Sequence, residues 1–176
     1  MTEKIVLVDE QDNQVGVAEK IKTHQEGKLH RAFSLFIFNS QGELLLQKRA
    51  ARNYHSANLW SNTCCSHQRE NEQLEEAALR RLKEEMGFIC PLREAFRFTY
   101  RVEFENGLIE NEFDHVFFGK FDGPVNPDSK EVADWKWITL EKLKKDIQKN
   151  PDQYSYWLKE LINRIISEKR NGKINS

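Results

Sequence analysis

Glu72-Gln73-Leu74-Glu75-Glu76-Ala77-Ala78-Leu79-Arg80-Arg81-Leu82-Lys83-Glu84-Glu85-Met86-Gly87 is the stretch where the chain changes from a strand-like to a helical pattern. Ala78, Leu79, Leu82 and Met86 recur at the spacing that stacks side chains on one helix face, and Gly87 stands where a glycine closes a helix. Arg81 and Glu85, four apart, share a face at the edge of this apolar stripe.

Outward from this helix, both flanks read as strands and turns. Toward the N-terminus, Ile5 to Val8 and Val15 to Ala18 predict a hairpin about Asp12-Asn13-Gln14. Ala32 to Asn39 is a nearly continuous apolar run, as expected of a strand covered on both faces; Asn39-Ser40-Gln41-Gly42 turns it into Glu43 to Arg49, a second expected hairpin. His24 and His30 flank Gly27 in what reads as a short polar loop. Toward the C-terminus, Phe96 to Phe104 and Leu108 to Phe121 alternate around Asn106-Gly107, a strong hairpin signal, and Trp135 to Ile138 reads as one more strand. Leu140 to Gln148 and Tyr156 to Lys169 follow as helices, the second with Trp157, Leu158, Leu161, Ile162, Ile165 and Ile166 at helical spacing. Hairpins interleaved with helices predict the α+β class, an α/β sandwich with a mixed β-sheet flanked by helices. The expectation is one domain over residues 1–176, with its core at about 3–167 and a frayed polar tail at 168–176.

Composition narrows the functions available. Lys and Arg total 27 against 28 Asp and Glu, so no overall field of either sign would hold the protein to nucleic acid or to a membrane surface. Any anion site must be local. Three cysteines without regular spacing argue against a disulfide framework and for a reducing compartment. Ile5 to Val8 is too short for the apolar region of a secretory leader, and no run approaches the roughly 20 apolar residues that cross a bilayer. The expectation is a cytoplasmic protein, a monomer or weak homodimer, with a small-molecule partner.

Trp60-Ser61-Asn62-Thr63-Cys64-Cys65-Ser66-His67, taken with Glu110-Asn111-Glu112, offers a thiol, an imidazole and two carboxylates that a fold could gather. Cys64-Cys65 lacks the spacing of a metal knuckle, so Cys65 is expected to act as an acid/base or nucleophile beside a metal. Glu110 and Glu112, two apart on a strand, leave the same face; paired carboxylates repel unless a cation or a shared proton separates them. A solvent-facing acidic strand is the bland alternative. His24, His30 and His67 would complete a five-ligand nitrogen and oxygen set, hard enough for Mn²⁺ or Mg²⁺ and acceptable to Zn²⁺. His55 and His115 read as surface or capping residues, with His115 on the strand face away from Glu112. Glu85 beside Arg81 reads either as a surface ion pair or as a ligand for a Mg²⁺ that carries a diphosphate. Lys20, Lys48, Arg49 and Arg52 could add positive charge. Tyr100 and Trp157 read first as packing residues, although a phenol can hold a carboxylate and an indole face can stabilise a cation.

Several segments together are similar to the type I isopentenyl-diphosphate delta-isomerases of the Nudix-fold superfamily: Leu29-His30-Arg31-Ala32-Phe33-Ser34, Gln47-Lys48-Arg49-Ala50, Asn62 to His67, Arg80 to Gly87, and Glu110-Asn111-Glu112. The general Nudix signature lies on residues 66–88, where Glu72, Arg80, Leu82, Glu84, Glu85, Gly87 and Phe88 fit. Ser66 replaces its first glycine, and Arg81 replaces a glutamate that hydrolytic members use to bind metal. The resemblance implies that Cys65 and Glu112 are the catalytic pair, with Tyr100 orienting Glu112 and Trp157 covering the pocket. It implies a cation (Mn²⁺ or Mg²⁺, with Zn²⁺ possible) on His24, His30, His67, Glu110 and Glu112, and Mg²⁺ on Glu85. It places Lys20, Arg49 and Arg81 on the substrate diphosphate, and it calls for no flavin or nucleotide cofactor. Gln68 stands where relatives often carry proline and Asn53 where they often carry lysine, a phosphate contact for which Arg52 is the neighbouring replacement. Two other readings stay open: a Nudix hydrolase acting on a nucleotide-like diphosphate, and a non-enzymatic domain with a structural metal.

Overall fold

In the computed structural model, which describes residues 2–51 and 56–172, thirteen strands and α-helices follow one another. Strands β1 (Lys4–Val8) and β2 (Gln14–Glu19) lead into helix α1 (Lys20–Glu26), then β3 (His30–Phe38), β4 (Leu44–Arg49), β5 (Trp60–Ser61) and β6 (Cys64–His67). Helix α2 (Leu74–Met86), β7 (Leu92–Glu103), β8 (Ile109–Lys120), β9 (Val132–Ile138), α3 (Leu140–Lys149) and α4 (Tyr156–Arg170) complete the order. No helix among the described residues is long and apolar enough to cross a membrane.

The continuous apolar run of β3 is explained by two cores. Successive strand side chains leave opposite faces, so Phe33, Leu35 and Ile37 pack with Ala77, Ala78, Leu82 and Met86 of α2, while Phe36 and Phe38 pack with Leu143, Leu158, Leu161 and Ile165 of α3 and α4. Phe117 of β8 joins the first core, and Val116 and Phe118 join the second. A mixed sheet with helices on both faces is the α+β sandwich expected. β3 runs parallel to β8 from His30 opposite Glu112 to Phe38 opposite Lys120, and β7 closes onto β8 antiparallel. That outer hairpin turns through Glu105, Asn106 and Gly107, with Phe104 and Leu108 bonded across the loop and Gly107 at φ 77°.

Two local expectations need correction. The loop around His24 is the helix α1, ended by Gly27 at φ 63°, whose N–H reaches Thr23 O. The second hairpin is closed only at its root: β3 and β4 pair at Phe38 and Leu44 and then part, β4 to pair with β9 and β5, β3 to pair with β6. Parting leaves interior backbone groups needing partners. Two side chains ahead of β6 supply them. Thr63 Oγ1 donates to Leu45 O at 2.7 Å and accepts from Ile37 N at 3.0 Å, and Asn62 Nδ2 donates to Leu35 O at 3.1 Å. Helix α4 runs on to Arg170, into the tail expected to fray, and the last four residues lie outside those described.

Gly87 ends α2 at φ 81°, and a Cβ there would lie 2.2 Å from Asn126 O; Gly107, at φ 77°, would meet nothing within 4 Å. Gly107→Ala should therefore cost only the left-handed backbone penalty of about 1–2 kcal/mol. Gly87→Ala should cost clearly more, and urea denaturation of the two variants will order them; equal midpoints would contradict this placement of Gly87.

Candidate active site

The start of β3 and the middle of β8 are polar where the rest of both strands is apolar, and pairing puts these segments together. Glu110 and Glu112 leave the same face of β8, 2% and 8% exposed, and meet His24 from α1, His30 from the first residue of β3 and His67 from the last of β6. His24 Nε2 and His30 Nε2 lie 3.2 and 3.6 Å from Glu110 Oε2; His67 Nε2 lies 2.9 Å and His30 Nε2 3.7 Å from Glu112 Oε1. One ligand atom from each of His24, His30, His67 and Glu110 falls within 4.8 Å of the others. The outer nitrogens explain the aim of two rings: His24 Nδ1 bonds Lys20 O at 2.6 Å and His30 Nδ1 bonds Lys28 O at 2.8 Å. A carbonyl takes the proton of Nδ1, so each Nε2 is left facing the carboxylates, where a bound cation would take its lone pair in place of a proton. Three imidazoles and buried carboxylates so arranged suit a divalent metal ion. The carboxylates draw positive charge strongly: burial disfavours protonated His30, yet Glu110 and Glu112 lift it to about 10.

This cluster forms one wall of a cavity of about 490 Å³. Cys65, opposite Ser34 on β3, opens into it, as do Tyr100 and Trp157. Burial, helped by Glu85 and Glu112 and opposed by Arg49, pushes the Cys65 thiol up, so it stays protonated. Tyr100 donates its O–H to Glu112 Oε2 at 2.6 Å, and burial beside Glu112 and Glu110 keeps the phenol neutral. Burial and Glu110 oppose ionisation of Glu112, but bonds from His30 and His67 outweigh them and hold it below its ordinary value. The Trp157 ring has the Arg49 guanidinium 5.5 Å from its centroid, while Arg49 Nη1 stands 4.0 Å from Cys65 Sγ.

Lys20, Arg49 and Arg81 line the same cavity, as does Glu85. Glu85 is 5% exposed; one oxygen pairs with Arg81 and the other accepts from Gln47 Nε2 at 2.7 Å. The surface ion pair that i,i+4 spacing suggests is thus a buried, oriented carboxylate. Glu3 holds two cations at the rim, Lys20 Nζ at 3.3 Å and Arg69 Nε at 2.8 Å. Burial alone would raise the Glu3 carboxyl, but Lys20 and Arg69 take it from 4.5 to about 2.

All twelve residues singled out as ligands, acid/base groups or phosphate contacts converge here: His24 and His30 behind the wall, the other ten on the cavity itself. Lys48 does not line it, and Arg52, Asn53 and His55 lie outside the described residues. His115 is corrected: at 2% exposure it is a core residue, held by Asp12 Oδ2 at 3.0 Å and Glu94 Oε2 at 3.2 Å. Sequence reasoning missed Gln47, Asn62 and Asp114. Gln47 and Asp114 carried a signal, standing two residues from Arg49 and Glu112 on strands, hence on the same faces. Asp114 is wholly buried and accepts from Ser34 Oγ at 2.7 Å.

The NUDIX domain family matches residues 28–159. Isopentenyl-diphosphate Delta-isomerase 2 of Aromatoleum aromaticum is 57% identical over 95% of this chain and 88% of its own length. The isopentenyl-diphosphate Delta-isomerases of Photorhabdus laumondii (isomerase 2) and Burkholderia multivorans are 54% and 51% identical, each over 93% of this chain and 92% and 93% of their own lengths. Among solved structures, DR0079 from Deinococcus radiodurans superposes with a TM-score of 0.77 at 23% identity, over 92% of this chain and 98% of that one, a likeness of fold.

Two outcomes follow from the geometry. Protein stripped with a chelator should gain about 2.7 kcal/mol of stability in Mn²⁺ at a hundred times its Kd, and Glu110→Gln should lose most of that gain, as read by thermal denaturation. Because folding depresses Glu3, its contribution is complete above pH 4.5 and is lost as pH falls toward 2, so Glu3→Gln should flatten the acid limb of the stability curve in that window. An unchanged acid limb would remove Glu3 from the rim.

Proposed function

This chain belongs to the isopentenyl-diphosphate Delta-isomerases of the NUDIX fold, and from that membership we propose that Cys65 and Glu112 are the acid/base pair of its reaction. The reaction is the reversible 1,3-allylic shift that converts isopentenyl diphosphate to dimethylallyl diphosphate in isoprenoid biosynthesis. A proton is added at the terminal methylene carbon, positive charge develops on the tertiary carbon, and another proton leaves two carbons from the first. In the forward direction one group gives its proton and the other takes one, the roles swap in reverse, and proton exchange with solvent restores the pair before the next turnover.

The observation that carries the reading is one cavity lined both by the acid/base groups Cys65, Glu112 and Tyr100 with the Trp157 ring, and by the cations Lys20, Arg49 and Arg81 with Glu85. Cys65 arrives on β6 and Glu112 on β8, strands on the two edges of β3, so the hydrocarbon part of the substrate has an acid/base group from each. An alkene is a poor base, and a buried site strengthens an acid's effect. The Tyr100 hydrogen bond to Oε2 orients the Glu112 carboxylate. Trp157 presents a π face that stabilises the cation without trapping it, worth about 2 kcal/mol when desolvated. Lys20, Arg49 and Arg81 take the diphosphate oxygens, and Glu85 would hold Mg²⁺ against them. His24, His30, His67, Glu110 and Glu112 would hold Mn²⁺ or Mg²⁺, with Zn²⁺ also suited, and such an ion supplies charge that strengthens Glu112 as an acid. Free thiols on Cys64, Cys65 and Cys90 fit a cytoplasmic setting, in which the protein acts as a monomer or weak homodimer without nucleic-acid partners. Arg81 argues against the hydrolase reading, because it neutralises Glu85 where hydrolytic relatives place another metal-binding carboxylate.

Proton NMR of isopentenyl diphosphate incubated with protein and Mg²⁺ should show the allylic vinyl and paired methyl signals growing in. Cys65→Ala and Glu112→Gln should fold and lose turnover by about a thousandfold. An unchanged spectrum, with phosphate released from nucleotides instead, would sink the proposal in favour of the hydrolase.

A further inference from the structure

Asn62 joins two functional groups that come from opposite ends of the chain. It is wholly buried, and all of its hydrogen-bonding capacity is engaged inside the protein. Nδ2 donates to Cys64 O at 2.8 Å and to Leu35 O at 3.1 Å, while Oδ1 accepts from Trp157 Nε1 at 2.9 Å and from Ser61 Oγ at 2.9 Å. The partners decide the amide's orientation: the reverse would set an NH₂ against an indole N–H and a carbonyl against two carbonyls. The indole proton is shared with Ser61 Oγ, also at 2.9 Å, and Ser61 Oγ lies 3.1 Å from Ser155 Oγ at the head of α4. A satisfied polar network in a dry interior is rigid, because breaking any bond strands a buried donor or acceptor.

One side chain therefore holds the carbonyl preceding Cys65 and the edge of the ring that faces the cavity. Apolar contacts alone would let a flat ring slide or tip. The N–H bond removes that freedom, and the Cys64 bond fixes the thiol-bearing strand against the same amide. We propose that Asn62 is a positioning residue for the isomerisation, setting the Trp157 face at the distance from the Cys65 strand that the carbocation requires. The proposal rests on the reading of Trp157 as the cation-facing ring.

The test compares two probes of the Mg²⁺-loaded protein: inorganic diphosphate, and an alkyl diphosphate with a tertiary ammonium in place of the tertiary carbocation. Asn62→Ala should lower kcat and the ammonium probe's affinity about tenfold, with KM and inorganic diphosphate affinity within about twofold of wild type. Added to Trp157→Phe, which keeps an aromatic face and loses the N–H, it should weaken the ammonium probe little further, because it acts through that proton. A parallel fall for both probes, or additive losses in the double variant, would overturn the proposal. Should Trp157→Phe leave the ammonium probe unaffected, the role of Trp157 itself fails; a Trp157→Phe effect without an Asn62→Ala effect fails Asn62 alone. If Asn62→Ala does not fold, hydrogen exchange in the wild type decides: the Trp157 indole proton should exchange far more slowly than that of surface-exposed Trp135, and equal rates would refute its capture.

Discussion

Where β3 and β4 part after a single pair of residues, side chains replace the missing strand, and the active cavity depends on that substitution. A hairpin continued along its full length would satisfy the backbone and leave no room. Thr63 and Asn62 instead accept and donate at Ile37, Leu45 and Leu35, so these backbone groups keep partners where the strands separate. β6 then fits along the freed edge of β3, and it brings Cys65 and His67 beside residues that β8 supplies on the other edge.

The second constraint is electrostatic. Glu85, Glu110, Glu112 and Asp114 are each less than one-tenth exposed, a concentration of carboxylates that a protein interior tolerates only with matched partners. Arg81 and Gln47 supply them at Glu85, and the histidines at Glu110 and Glu112. At Asp114, burial and the neighbouring carboxylates instead push the group well above the carboxylate range, against a single bond from Ser34. Charge is thus managed locally, in keeping with a chain whose totals nearly cancel.

Much of this was legible in order of residues alone, and the reason differs by element. Helix α2, the hairpin of β7 and β8, and the two-sided burial of β3 are written in local periodicity, which tertiary packing only reinforced. The pairing of Glu110 with Glu112 was readable because a strand has a period of two. The gathering of His24, His30 and His67 was not readable from spacing, since α1, β3 and β6 meet only through the antiparallel pairing of β3 with β6 and the packing of α1 on β8; resemblance to a family carried that part. The parting of β3 from β4 was hidden because a turn signal announces a reversal and says nothing of how far two strands stay together. His115 was misread for a similar reason: its partners, Asp12 and Glu94, are remote in sequence and sit on turns and strands that carry no mark of the contact.

Helix α1 is seven residues long and bears Lys20 at its start and His24 one turn later, with the Lys20 carbonyl itself receiving the His24 ring. On the reading given above, one residue grips phosphate and the other grips a cation. Two ligands that order the same short element share the entropy of ordering it, so each binds more tightly once the other is present, and by the same factor. On that reading ion and substrate would be cooperative partners. The rim carboxylate of Glu3, which pairs with Lys20, would then compete with phosphate for that lysine.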